Sequence, residues 1–133
     1  AVTIGTDSER YINRWSQISS ARALALDAAG SVAAESACAD ANAYLKELVR
    51  AEGRFLRPRF SPGYGDFPLS CQGEMVRILD AARKIGVSLT ERQMLLPVKS
   101  VTAVIGISDS PTRCRRTEAK CETCEKTDCP YRA

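Results

Sequence analysis

The sequence predicts an α+β fold: an antiparallel sheet packed with two main helices, followed by a cysteine-rich tail. Three observations carry this. Strand-like runs are few and scattered, two long segments space their apolar residues by threes and fours, and no strand–helix–strand rhythm runs along the chain. At 133 residues, with 44% hydrophobic and 26% charged residues, the chain fits one ordinary soluble domain. We assign residues 1–108 to that domain and 109–133 to the tail.

The elements follow in order. "AVTIG" at 1–5 is a β-type run ending at Gly5, and "TDSERYINRW" opens a helix with Thr6 or Asp7 as its cap. Between residues 20 and 52, Ala29, Val32, Ala33, Ser36, Ala37, Ala41, Tyr44, Leu45 and Leu48 mark one face of a long helix, about 50 Å if unbroken. This face is mostly Ala and Ser, so it can lie close against a sheet or another helix. Asp40 sits at its edge and reaches solvent. Gly30 either weakens the helix locally or permits a close approach. "EGR" at 52–54 ends the helix.

"RFLRPRF" at 54–60 reads as an extended segment held open by Pro58. A second helix is predicted from about Leu69 to Ile85, with Met75, Ile78, Leu79, Ala82 and Ile85 inward and Gly86 as its stop. "SLTE" at 88–91 has capping-box spacing for a short helical turn. "QMLLPVKSVTAVIGIS" at 93–108 is β-rich and broken at Pro97, with Val101, Ala103, Ile105 and Ile107 alternating on one face.

Composition excludes several functions. A net charge of +3, with Lys and Arg interleaved among Asp and Glu, makes a mixed surface and no phosphate-binding stripe, so nucleic acid is not an expected partner. No apolar run approaches the ~20 residues of a membrane span. The absence of His removes imidazole acid–base chemistry and His-ligated metals. The chain opens on a strand with no Met and no signal-peptide pattern, as a fragment lacking upstream sequence would. The expected compartment is the cytoplasm, with reduced thiols.

The stretch "SPGYGDFP" at 61–68 asks for more explanation than a turn. Pro62-Gly63 suits the central positions of a type II turn, where Pro fixes φ and Gly accepts φ > 0. Gly63 and Gly65 flank Tyr64, so a ligand can approach the backbone there. Arg59 can hold a carboxylate bidentately, and Tyr64 offers a ring face and a hydroxyl. A carboxylate anchor beside a ring platform suits an amino acid joined to a nucleoside. A plain surface turn, with Arg59 solvated, is the competing reading.

Arg59-Phe60-Ser61-Pro62-Gly63-Tyr64 matches the RxxxGY motif of the activation domain of cobalamin-dependent methionine synthase. "AVTIG", "SVAAES", "RFSPGYGDFP", "ILDAARKIGVSLTE" and "PVKSVTAVIGIS" resemble that domain's segments in the same order, covering about residues 1–108. The chain looks closest to short, free-standing reactivation proteins of that family. The resemblance implies S-adenosylmethionine as ligand, with Arg59 on the methionine carboxylate, Gly63 and Tyr64 along the nucleoside, and Pro62 and Gly65 completing the bend. It implies that cobalamin is carried by a partner, a cobalamin-binding methionine synthase or related corrinoid protein, with flavodoxin or ferredoxin as electron donor. In the implied reaction cob(II)alamin is reduced by one electron to cob(I)alamin, which takes the methyl group from S-adenosylmethionine. Such chemistry asks the protein for positioning and little proton transfer, which suits a chain without His. The family's larger enzymes carry aromatic residues where this chain has "AVIGI", so an aromatic contact near Ile105 is absent. Asp66 and Glu35 are expected to be a turn residue and a helix-surface charge.

In the tail, Cys114, Cys121, Cys124 and Cys129 follow the spacing C-x6-C-x2-C-x4-C. Few apolar residues surround them, and metal binding supplies folding energy to such segments. A structural zinc site, an iron–sulfur cluster, and an unmetallated tail of reduced thiols are the three readings. The iron–sulfur reading supports a rival function, electron donation to a corrinoid protein; a docking module without its own ligand is another. Cys38 is expected to be a buried inert thiol, and Cys71 a packing residue near the start of the second helix.

Overall fold

The computed structural model describes residues 1–110; Cys114, Cys121, Cys124 and Cys129 lie outside the described residues. The order of elements is β1 (Val2–Thr3), α1 (Asp7–Ser16), α2 (Ser20–Ala51), β2 (Phe55–Phe60), α3 (Cys71–Leu79), α4 (Ala81–Ile85), β3 (Ser88–Leu89), β4 (Leu95–Leu96), β5 (Ser100–Val101) and β6 (Val104–Ser108). The class is α+β, as expected. Three separate two-stranded antiparallel pairs, β1–β5, β2–β6 and β3–β4, stand where one sheet was predicted.

Helix α2 organises the fold. Its 32 residues run unbroken for about 48 Å. Ser19 begins it from an extended backbone, its hydroxyl accepting the Arg22 amide hydrogen at 3.4 Å. The Arg22 guanidinium lies 4.6 Å from the Trp15 ring centroid, which links α2 to α1. Thr6 occupies the cap position of α1, yet its side chain caps nothing. The preceding bend is held instead by the Ser8 hydroxyl, which donates to the Gly5 carbonyl at 3.1 Å.

The buried stripe of α2 is Gly30, Ala34, Cys38 and Val49. It lies beside the predicted one: Val32 is 70% exposed and Tyr44 66%. A helix of Ala and Ser has small residues on every side, so several neighbouring stripes satisfy the same spacing and periodicity alone cannot choose among them. Asp40 is exposed and Cys38 buried, as expected.

Gly30 marks the true contact. The alkyl stem of Lys99 lies across it, and a β-carbon added at Gly30 would meet Lys99 Cε at 3.4 Å and Cγ at 3.5 Å. The Lys99 ammonium then bonds Asp27 at 2.8 Å and Ser31 Oγ at 2.8 Å, clamping β5 onto the helix. Those are ordinary contact distances, so one methyl fits. Gly30→Ala is therefore expected to raise stability by about 0.5–1 kcal/mol through helix propensity, read as a higher urea midpoint at unchanged slope. A lower midpoint would show that Lys99 needs the whole gap.

The second predicted helix is two. Asp80 adopts the left-handed conformation, φ 52° and ψ 41°, and separates α3 from α4. A short polar side chain tolerates that region, and Arg83 Nε donates to the Asp80 carboxylate at 2.5 Å. The break rotates the phase. Ala81 and Val87 are buried, whereas Ile78, Leu79, Ala82 and Ile85 are exposed and Met75 is half-buried. Gly86 ends α4 at φ 69°, as predicted.

"SLTE" forms no helical turn. Ser88 and Leu89 pair with Leu96 and Leu95, and Thr90 closes the connection. Its amide donates to the Met94 carbonyl at 2.9 Å, and its hydroxyl accepts the Met94 amide hydrogen at 3.1 Å. A Thr followed by polar residues serves a turn as readily as a cap, and strand pairing with β4 decides between them. Pro97, in a cis peptide, separates β4 from β5.

Candidate functional site

The site is built from β2 outward. Pro58 has no amide hydrogen, and the β2–β6 register shifts between Leu56 and Arg59. Beyond the shift Arg59 stands opposite Ile105, and Phe60 opposite Val104. The chain then bends. The Tyr64 amide donates to the Ser61 carbonyl at 3.3 Å, and Gly63 sits at φ 90°. These are the hydrogen bond and the positive φ of a type II turn with Pro62-Gly63 at its centre, as predicted.

Two further bonds fix the loop: Phe67 N to Tyr64 O at 3.0 Å and Gly63 N to Phe67 O at 2.8 Å. Phe60 and Phe67 stack with centroids 6.0 Å apart. Gly65, at φ 56°, lies so close to this pair that a β-carbon there would stand 3.1 Å from Phe60 Cζ. A side chain here would meet both an unfavourable backbone conformation and a tight neighbour.

This loop forms one wall of a cavity of about 420 Å³. Arg59, Phe60, Ser61, Pro62 and Tyr64 line it from β2 and the turn, Glu35 from α2, Gln72 from α3, Leu95 from β4, Ser100 and Val101 from β5, and Thr102 from the link to β6. Of the residues singled out in sequence, Arg59, Pro62 and Tyr64 thus meet at one cavity. Gly63 and Gly65 shape the turn without lining it. Tyr64 is 68% exposed, so its ring is available to a ligand, and Pro62 is buried. Asp66 is an exposed turn residue, as expected.

Glu35 is an exposed charge on the surface of α2, as expected, and it also has a partner. Its carboxylate accepts from Arg59 NH2 at 2.5 Å, joining α2 to β2 across the cavity wall. That hydrogen bond, reinforced by the charge of Glu35, holds the Arg59 guanidinium above its ordinary pKa against a smaller opposing effect of burial; the Cys38 thiol adds to it. Arg59 is therefore a cation at any working pH. It also lines a second cavity of about 140 Å³ towards α2, where Cys38, Val101, Ala103 and Ile105 meet.

The floor is polar and buried. Thr102 is 2% exposed and Gln72 6%. The Gln72 amide donates to the Gln93 carbonyl at 2.7 Å, and the Thr102 hydroxyl lies 3.5 Å from Gln72 Oε1. Ser100 Oγ donates to Thr3 Oγ1 at 2.8 Å. Sequence reasoning missed Gln72, Ser100 and Thr102. The one available signal was Thr102 itself, which falls on the strand face opposite to Val101 and Ala103.

Among the described residues no group of three or more His, Cys, Asp or Glu side chains is placed to hold a metal ion. Cys38 and Cys71 are free thiols. No helix of the described residues is long and apolar enough to cross a membrane.

A search of curated proteins found no match. The profile of the family described as "Vitamin B12 dependent methionine synthase, activation domain" matches residues 21–113, more than half of the 133-residue chain. The matched stretch contains every residue that lines the larger cavity. The chain belongs to the activation-domain family of vitamin B12-dependent methionine synthase.

Proposed function

We propose that this chain is a methionine synthase reactivation module that binds S-adenosylmethionine in the cavity beside the Ser61–Tyr64 turn. Family membership supports the reactivation role and a corrinoid partner. The observation that carries the ligand is the meeting of Arg59, Tyr64 and a buried polar floor in one cavity of about 420 Å³. That volume lies within the ~300–1,000 Å³ of small-molecule sites.

The residues present fit the ligand. Arg59 supplies a permanent cation for its carboxylate, with two parallel N–H donors available to a planar anion. Tyr64 offers an exposed ring to the base, and the turn centred on Pro62-Gly63 sets it at the cavity. Gln72 and Thr102 offer hydrogen-bonding groups to the nucleoside from below. The sulfonium carries the methyl group to be transferred, and the cobalamin of the partner supplies the redox chemistry and the nucleophile. This chain's own residues bind and orient; none needs to move a proton.

Calorimetric titration of S-adenosylmethionine onto the 133-residue chain tests the reading. Saturable binding of one equivalent is expected, with competition by S-adenosylhomocysteine, which shares the amino acid and the nucleoside. Absence of binding at millimolar ligand would overturn it.

A further inference from the structure

We infer that Cys114, Cys121, Cys124 and Cys129 together hold one metal centre through four thiolates, either a zinc ion or an iron–sulfur cluster. The site is independent of the cavity beside the Ser61–Tyr64 turn. Cysteine is among the residues most often buried in proteins, packed as a small hydrophobe against other apolar side chains. Residues 113–133 have little to pack: apart from the cysteines, the apolar side chains are Ala119, Pro130, Tyr131 and Ala133. Four cysteines within 16 residues of so polar a stretch call for bonds to something other than a hydrophobic core.

The folded domain sets these four apart. Cys38 is 5% exposed on α2 and Cys71 is half-buried at the start of α3, and both are free thiols. Neither belongs to a group of three or more candidate ligands among the described residues. The other four are a full tetrathiolate set that needs no His. Strand β6 ends at Ser108, opposite Phe55 at the start of β2, whereas Arg59 pairs with Ile105 further along. The chain thus leaves the domain at the end of the β2–β6 ribbon away from the turn.

Spacing and charge agree with this chemistry. Cys121 and Cys124 stand as a CxxC pair, which offers two ligands from one short stretch. The intervals of six, two and four residues between successive cysteines are short, so closing them around one centre costs little chain entropy. A zinc ion with four thiolates is doubly negative, and so is an oxidised, doubly positive iron–sulfur core with the same ligands. Between residues 113 and 133, six Lys and Arg stand against four Asp and Glu, a surplus that offsets that charge. Metal-binding energy then takes the place of the missing core.

The test is the metal content of the 133-residue chain purified anaerobically, read by elemental analysis and visible absorbance. Stoichiometric zinc in a colourless sample, or iron with matching acid-labile sulfide and a brown colour, is expected. The two results differ only in which metal the thiolates hold. The double variants Cys121→Ser/Cys124→Ser and Cys114→Ser/Cys129→Ser are each expected to lose tenfold or more of the parent's metal, and Cys71→Ser none of it. A parent chain that stays metal-free after incubation with zinc, and with ferrous iron and sulfide, would overturn the assignment, whether its thiols are free or paired as disulfides. So would metal lost on dialysis against metal-free buffer, an adventitious ion only, or metal retained in full by either double variant. Loss from Cys71→Ser would move the site into the domain and overturn it as well.

Discussion

Arg59→Ala is expected to weaken S-adenosylmethionine binding by at least tenfold, about 1.4 kcal/mol. The bound is conservative, since a single hydrogen bond to a charged group contributes about 1.5–3 kcal/mol and a guanidinium can offer a carboxylate two. The loss should fall on binding with little effect on folding. Arg59 stands near the end of β2 and its side chain is partly exposed, and its removal leaves Glu35 facing water. Arg59→Lys should recover only part of the affinity, because an ammonium keeps the charge and loses the planar fork. Isothermal titration beside a thermal melt separates the two effects. Equal affinity in parent and Arg59→Ala would remove this residue from the site.

Gly63→Val should destabilise the fold by about 2 kcal/mol, because a β-branched residue is forced to positive φ. That corresponds to a melting temperature lower by about 8 °C for a domain of this size. Space is not the problem: a β-carbon at Gly63 would meet only Leu69 Cδ1, at 3.5 Å. The whole effect is backbone strain at φ 90°, so Gly63→Asn should cost much less than Gly63→Val. If both variants melt with the parent, the turn is not held in this conformation in solution. Gly63→Val should also bind S-adenosylmethionine more weakly, since the bend that aims Tyr64 is lost.

The reach of sequence reasoning differed from one residue to the next. The turn at Ser61–Tyr64 was legible because Pro and Gly each restrict φ by themselves, whatever surrounds them. The end of α4 at Gly86 was legible for the same reason. The inward stripe of α2 was not, because in an Ala- and Ser-rich helix the choice of face belongs to the partner, here the Lys99 stem over Gly30. Asp80 broke a helix whose apolar spacing continued on both sides, and nothing in that spacing records a left-handed residue. Arg59 and Tyr64 announced themselves as unusual neighbours of a turn. Glu35, Gln72 and Thr102 did not, because each becomes part of the cavity only when segments distant in sequence are brought together.

The irregularity at Pro58 also bears on how this protein survives at high concentration. Strand β2 has β6 on one side and, among the described residues, no strand on the other. Such a rim is a template for uncontrolled association with neighbouring chains. Pro58 supplies no amide hydrogen and the spacing of the strand shifts beside it, so the ladder of β2 is interrupted. Proline and an irregular register are among the devices that blunt an exposed strand against such association.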